Sequence, residues 1–127
     1  MITLEAGKYV VSDPCYVLTD EQYDEFLGTV LDDRWSGGEV VIDNQTCVVY
    51  NTRYGDGMYL DNYGDRYAVD SGTIGIFPRS IISLFDEFAH EVELTTETEC
   101  SYNDGAMQFG CVQINTNDEL EEDLYYE

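Results

Sequence analysis

At 127 residues the chain is the length of one domain, and a hydrophobic fraction of 43% with 13% aromatic residues supplies a core for it. Twenty-seven acids against five bases give a formal charge of −22, which excludes nonspecific attraction to nucleic acid or anionic lipid and makes a basic surface the natural partner. No apolar run reaches the ~18 residues of a membrane span and the opening MITLEAGKYVVSDPC is not leader-like, so a cytoplasmic protein is expected.

The first strand-like run is KYVVS, followed by CYVL, two short strands predicted on either side of a turn at Asp13 and Pro14. TDEQYDEFLGTVLDD then carries the one strong helical pattern, at about residues 20–33. Thr19 and Gln22 form a capping box, Leu18 is placed to staple onto Tyr23, and Tyr23, Phe26, Leu27, Val30 and Leu31 share a face. The opposite face is acidic: Asp20, Glu21, Asp24 and Glu25. Asp32 and Asp33 follow at the helix end, where the dipole disfavours them by about 0.3–1 kcal/mol each unless Arg34 offsets it.

EVVID and TCVVYNT read as a hairpin around Asn44 and Gln45, and TIGIF as a further strand ended by Pro78. SIISLFDEF predicts a short second helix at about residues 80–88, capped by Ser80. From His90 the residues alternate, with Glu91, Glu93, Thr95, Glu97 and Glu99 on one face of an expected strand and Val92, Leu94, Thr96, Thr98 and Cys100 on the other. Asn103, Asp104 and Gly105 make a hairpin turn, and AMQFGCVQI returns beside that strand. The predicted fold class is α+β: an antiparallel-dominated sheet or small sandwich with one main helix, over residues 1–117. Residues 118–127 form an acidic tail, either frayed or a short helix.

Between the hairpin and TIGIF lies RYGDGMYLDNYGDRYAVDSG, where YGDGMYLD and YGDRYAVD repeat a phrase nine residues apart. Asp56, Asp61, Asp65 and Asp70 could supply hard oxygens to a divalent cation, but no EF-hand spacing is present and the period repeats only once. The alternative is scaffold, with each YGD a glycine turn, the tyrosines alternating inward, and Arg53, Arg66 and Arg79 as internal salt-bridge partners. An enzymatic reading would use Cys15 as nucleophile and His90 as base. It ranks below binding, because an isolated cysteine beside strand residues is more often a small buried hydrophobe. The four scattered cysteines and one histidine form no common zinc pattern, so reduced thiols are expected, with no cofactor and no catalytic residue.

The order YVVSDPCYV (9–17), TRYGDGMY (52–59), VDSGTIGI (69–76) and Pro78 resembles a family of small uncharacterised proteins of tailed phages and bacteria. The resemblance covers about two-thirds of the chain, carries no activity or ligand set, and implies a phage accessory protein acting in the host cytoplasm. Its motifs are central, whereas the charge is terminal. Residues 1–50 hold ten acids and two bases, residues 51–90 six and three, and residues 91–127 eleven and none. A few units of charge would suffice for solubility, so −22 points to a partner. The expected function is therefore that of an acidic, DNA-mimic-like anti-defence inhibitor. It would bind the basic nucleic-acid-binding surface of a host protein through Asp20, Glu21, Asp24, Glu25, Glu91, Glu93, Glu97 and Glu99. A ligand- or metal-binding domain centred on residues 53–72 is the alternative.

Overall fold

The structure is a computed structural model that describes residues 2–32 and 35–117; Asp33, Arg34 and the acidic tail at 118–127 lie outside the described residues. In chain order the elements are β1 (Ile2–Leu4), β2 (Gly7–Ser12), α1 (Pro14–Val17), α2 (Asp20–Val30), β3 (Gly38–Ile42), β4 (Gln45–Asn51), β5 (Gly57–Leu60) and β6 (Arg66–Val69). There follow β7 (Thr73–Pro78), a 3-10 turn (Arg79–Ile81), β8 (His90–Leu94), β9 (Thr98–Asn103), β10 (Ala106–Phe109) and β11 (Val112–Asn115). No helix among them is long and apolar enough to cross a membrane.

All strand pairs are antiparallel, as the α+β reading requires. A five-stranded sheet has the order β3-β4-β7-β2-β8, and a four-stranded sheet has the order β1-β9-β10-β11. The β5–β6 hairpin joins the second sheet through a bridge between Asp61 and Ile114 and a hydrogen bond from Asn62 N to the Gln113 carbonyl at 3.0 Å. The five-stranded sheet is covered on both faces. Tyr9, Val11, Val48, Tyr50, Ile74 and Ile76 pack toward the other strands, against Met107, Phe109, Tyr59 and Tyr67. Val10, Cys47, Val49 and Phe77 pack toward the helices, against Val17, Leu18 and Phe26. This double burial explains why β2, β4 and β7 are continuous apolar runs, while the edge strand β3 alternates buried and exposed positions.

The main helix is capped as the sequence predicts. Thr19 accepts from Gln22 N, and the Gln22 side chain accepts from Thr19 N. Its apolar face rests on the sheet, and Phe26 is fully enclosed. The hairpin turn falls one residue earlier than expected, at Asp43 and Asn44. Both have positive φ, the geometry that matches the twist of the flanking strands.

Three expectations change. CYVL is not a strand: Pro14–Val17 is a single helical turn, with Asp13 as N-cap and Pro14 at the first helical position. The short second helix of the fold is therefore at 14–17. At 80–88 only the 3-10 turn at Arg79–Ile81 forms, and the Ile81 and Ile82 carbonyls accept from side chains. Gln22 Nε2 donates to the Ile81 oxygen at 2.6 Å, and Arg79 Nη1 donates to the Ile82 oxygen at 2.8 Å. Finally, the expected strand from 90 to 100 is two strands in different sheets, β8 on β2 and β9 between β1 and β10.

Burial also sets a pH limit. Being enclosed pushes the Cys47 thiol up to about 12 and the Cys100 thiol up to about 11, from an ordinary value of 9.0. The folded state thus keeps protons that the unfolded chain releases. Their contribution to stability is complete below pH 9.0 and is lost as pH rises toward these raised values. The urea midpoint is expected to fall across that interval, and less steeply in a Cys47→Val variant.

Candidate functional site

The DPCY, YGDG and VDSG motifs meet at one end of the five-stranded sheet, where β2 and β4 finish and β7 begins. Asp13, immediately after β2, is completely buried, and its carboxylate accepts three backbone hydrogen bonds. Oδ1 takes one from Cys15 N at 2.8 Å, and Oδ2 takes two, from Asp70 N at 2.7 Å and Ser71 N at 2.9 Å. Hydrogen bonds to an ionised acceptor are about twice as strong as neutral ones, so this one side chain sews the DPCY turn to the VDSG loop. The Tyr16 hydroxyl adds a second stitch by donating to Asp70 Oδ2. On the far side of the loop, Thr52 N donates to the Gly72 carbonyl at 3.0 Å and Thr52 Oγ1 to the Gly55 carbonyl at 2.6 Å. TRYGDG is thereby tied to the same loop.

Cys15 lies within this joint. It is exposed rather than the small buried hydrophobe expected, yet partial desolvation, a hydrogen bond to Asp13, and the negative charges of Asp13 and Asp70 raise its pKa, so the thiolate is disfavoured. His90 lies on β8 opposite Val11 of β2. Its Nε2 is 2.8 Å from the Arg66 carbonyl and its ring meets the edge of Tyr67 at 4.7 Å between centroids. Among the described residues no hydrogen bond joins Cys15 to His90, whose Nε2 is engaged by the Arg66 carbonyl.

The four aspartates of residues 53–72 also part company. Asp61 is buried and organises its own loop, accepting from Tyr63 N at 2.8 Å, Asp65 N at 3.0 Å and the Tyr67 hydroxyl at 2.7 Å. Asp70 is engaged by Tyr16, while Asp56 and Asp65 face solvent. Among the described residues no three His, Cys, Asp or Glu side chains are grouped so as to hold a metal ion. The glycine turns are present, with Gly55 at φ +74 and Gly64 at φ +85, and Tyr59 and Tyr67 stand buried opposite each other on β5 and β6. The arginines pair outside this stretch: Arg53 with Asp104, and Arg79 with Glu91 at 2.9 Å.

The eight acids expected to form one contact face fall into three groups. Asp20, Glu21, Asp24 and Glu25 are exposed on α2, which packs over β3 at one edge of the five-stranded sheet. Glu25 is partly committed there, accepting from Asp43 N at 2.8 Å. Glu91 and Glu93 are on β8 at the opposite edge, four strand spacings or roughly 19 Å away. Glu93 stands across from Lys8, and Glu91 is paired with Arg79. Glu97 precedes β9, and Glu99 lies opposite Thr3 on the outer face of the second sheet, since its neighbour Cys100 points into the core. The sign of the surface is nevertheless uniform. Of the twenty acids among the described residues, only Asp13, Asp61 and Asp86 are not exposed.

Compared with known proteins, the chain matches no family model, no curated protein and no solved structure.

Proposed function

We propose that the chain is an acidic binding module of phage type that occupies a basic nucleic-acid-binding surface of a host protein, acting as a DNA-mimic-like inhibitor of a defence or other nucleic-acid-handling enzyme. One observation carries this reading: seventeen carboxylates are exposed among the described residues, which contain only four bases. Exposed ion pairs contribute little to stability, so so many outward acids are poorly explained by folding. The α2 group supports it most directly. Asp20, Glu21 and Asp24 share one helix face, and the described arginine pairs lie elsewhere, at Asp104 and Glu91. The division of the acids between two sheet edges and two sheets favours a partner that wraps the module or meets one edge, over a single flat contact.

Capture from host lysate at low salt is expected to recover a basic protein, to release it below about 1 M salt, and to compete with DNA for it. Recovery of no basic partner, or retention undiminished at that salt, would end the proposal. Reversing Asp20 and Asp24 to lysine should slow association by roughly tenfold at low salt while costing only about 0.3–1 kcal/mol of stability, because Asp20 lies in the first turn of α2 where the dipole favours an acid. Reversing Glu93 and Glu97 one at a time separates the β8 edge from the second sheet. If all three changes leave binding intact, the described acidic patches are not the contact.

A further inference from the structure

We infer that the recess between α1 and α2 is a socket for an arginine side chain of the basic partner, gripped by Asp20 and Asp24. This rests on the acidic-module reading and names the group that the module holds. The recess has a volume of about 430 Å³ and is lined by Cys15, Leu18, Asp20, Tyr23 and Asp24. Leu18 is buried and Tyr23 partly buried, while both carboxylates are exposed to solvent. Asp20 and Asp24 stand four residues apart on α2, which puts their Cβ atoms about 5–6 Å from each other on one helix face.

Three observations single out this place. Among the described residues neither Asp20 nor Asp24 meets a base: Arg53 pairs with Asp104, Arg79 with Glu91, Lys8 stands opposite Glu93, and Arg66 lies on β6. Arg34 is the one base of the remaining sequence, so the chain has little positive charge left to offer this pair. Negative charge also lies behind the recess. Desolvation and then the anionic Asp13 and Asp70 raise the pKa of the Cys15 thiol, and desolvation and then Asp13 raise that of the Tyr23 hydroxyl. Finally, the recess joins an aromatic ring to the two acids. A guanidinium suits that combination better than an ammonium, because its planar fork of donors reaches two carboxylates at once and its face stacks on tyrosine. Arginines of nucleic-acid-binding surfaces fork onto phosphate oxygens in the same manner, so an acid pair of this kind can take the place of phosphate.

The test uses the full chain, labelled with ¹⁵N, and three capped tripeptides with glycine on either side of arginine, lysine or citrulline. Citrulline keeps the shape of arginine without its charge. The expected result is saturable amide shifts centred on residues 15–24 with the arginine peptide, several-fold weaker binding of the lysine peptide, and no shift with citrulline. Asp24→Asn should weaken the arginine peptide by roughly tenfold. Glu99→Gln removes the same charge from the outer face of the second sheet and should leave binding nearly unchanged. An equal loss in both variants, or shifts spread over all the acidic surfaces, would mean attraction to net charge alone. That would overturn the socket while leaving the acidic-module proposal standing. Lysine bound as tightly as arginine, or no saturable shift at residues 15–24, would also overturn it. The lysate capture described above decides the broader proposal independently.

Discussion

Replacing Asp13 with alanine is expected to destabilise the fold by about 3–7 kcal/mol, a large share of the 5–15 kcal/mol typical of a domain. The size follows from what is left behind. The α1 cap is lost at about 1 kcal/mol, and the amides of Asp70 and Ser71 lose their shared acceptor at about 1–3 kcal/mol each. Asp13→Asn should cost less, because one oxygen still accepts while the new amide group faces donors on the other side. Tyr16→Phe is the useful contrast. It removes only the exposed hydroxyl's bond to Asp70, worth about 1 kcal/mol, so Asp13 and not Tyr16 is the joint. Urea unfolding measures all three. A second readout is specific to the charge: Asp13 helps hold the Cys15 thiol protonated, so Asp13→Asn should speed thiol labelling at alkaline pH in the folded protein. Wild-type stability in the alanine variant would show that the loops are held by something else.

Asp13 also marks the boundary of what could be read from sequence. The main helix was legible because its capping box and its i, i+3, i+4 face agree, and β4 and β7 were legible as β-branched runs. CYVL misleads because tyrosine and valine favour strands. The informative signal was the Asp-Pro pair before it, an N-cap followed by proline at the first helical position. The helical spacing of Ile81, Ile82, Phe85 and Phe88 is real, but the Ile81 carbonyl accepts from Gln22, 59 residues away in sequence, and the Ile82 carbonyl from Arg79 close by. No local pattern reports the Gln22 contact.

The acidic strand fails for a related reason. Alternation runs unbroken from 90 to 100, yet a period of two cannot say which sheet a residue joins, and the chain changes sheets between Leu94 and Thr98. The number of acids was therefore readable and their grouping was not. In the central stretch the glycine turns were readable from composition, whereas the partner of Arg53 lies 51 residues away at Asp104 and depends on the tertiary crossing. In the central motifs Asp13, Asp61 and Asp70 take part in internal hydrogen bonds, whereas Asp56 and Asp65 face solvent.

Gly75→Ala is expected to cost about 2–3 kcal/mol, because it adds one methyl group to a place that is already full. Gly75 sits in the middle of β7, where strand interiors normally favour a larger residue, and its φ is not in the left-handed region, so backbone freedom does not explain it. Packing does. A Cβ at this position would stand 2.7 Å from Val49 Cγ2, 2.8 Å from Phe77 Cζ and 3.0 Å from the Val48 carbonyl oxygen. Val49 and Phe77 are fully buried in the cluster beneath the helices, so neither can yield without displacing Val10, Phe26 or their neighbours, and the third contact is backbone. Gly75→Val should be worse still. The same chemical change at Gly28 has the opposite sign. Gly28 lies within α2 with nothing within 4 Å of an added Cβ, so alanine there should stabilise by about 0.5–1 kcal/mol through helix propensity. Urea midpoints of the two alanine variants should therefore bracket the parent protein. A Gly75→Ala variant as stable as the parent would mean that Phe77 has room to turn aside, and that the helix-side core is less tightly packed than these distances describe.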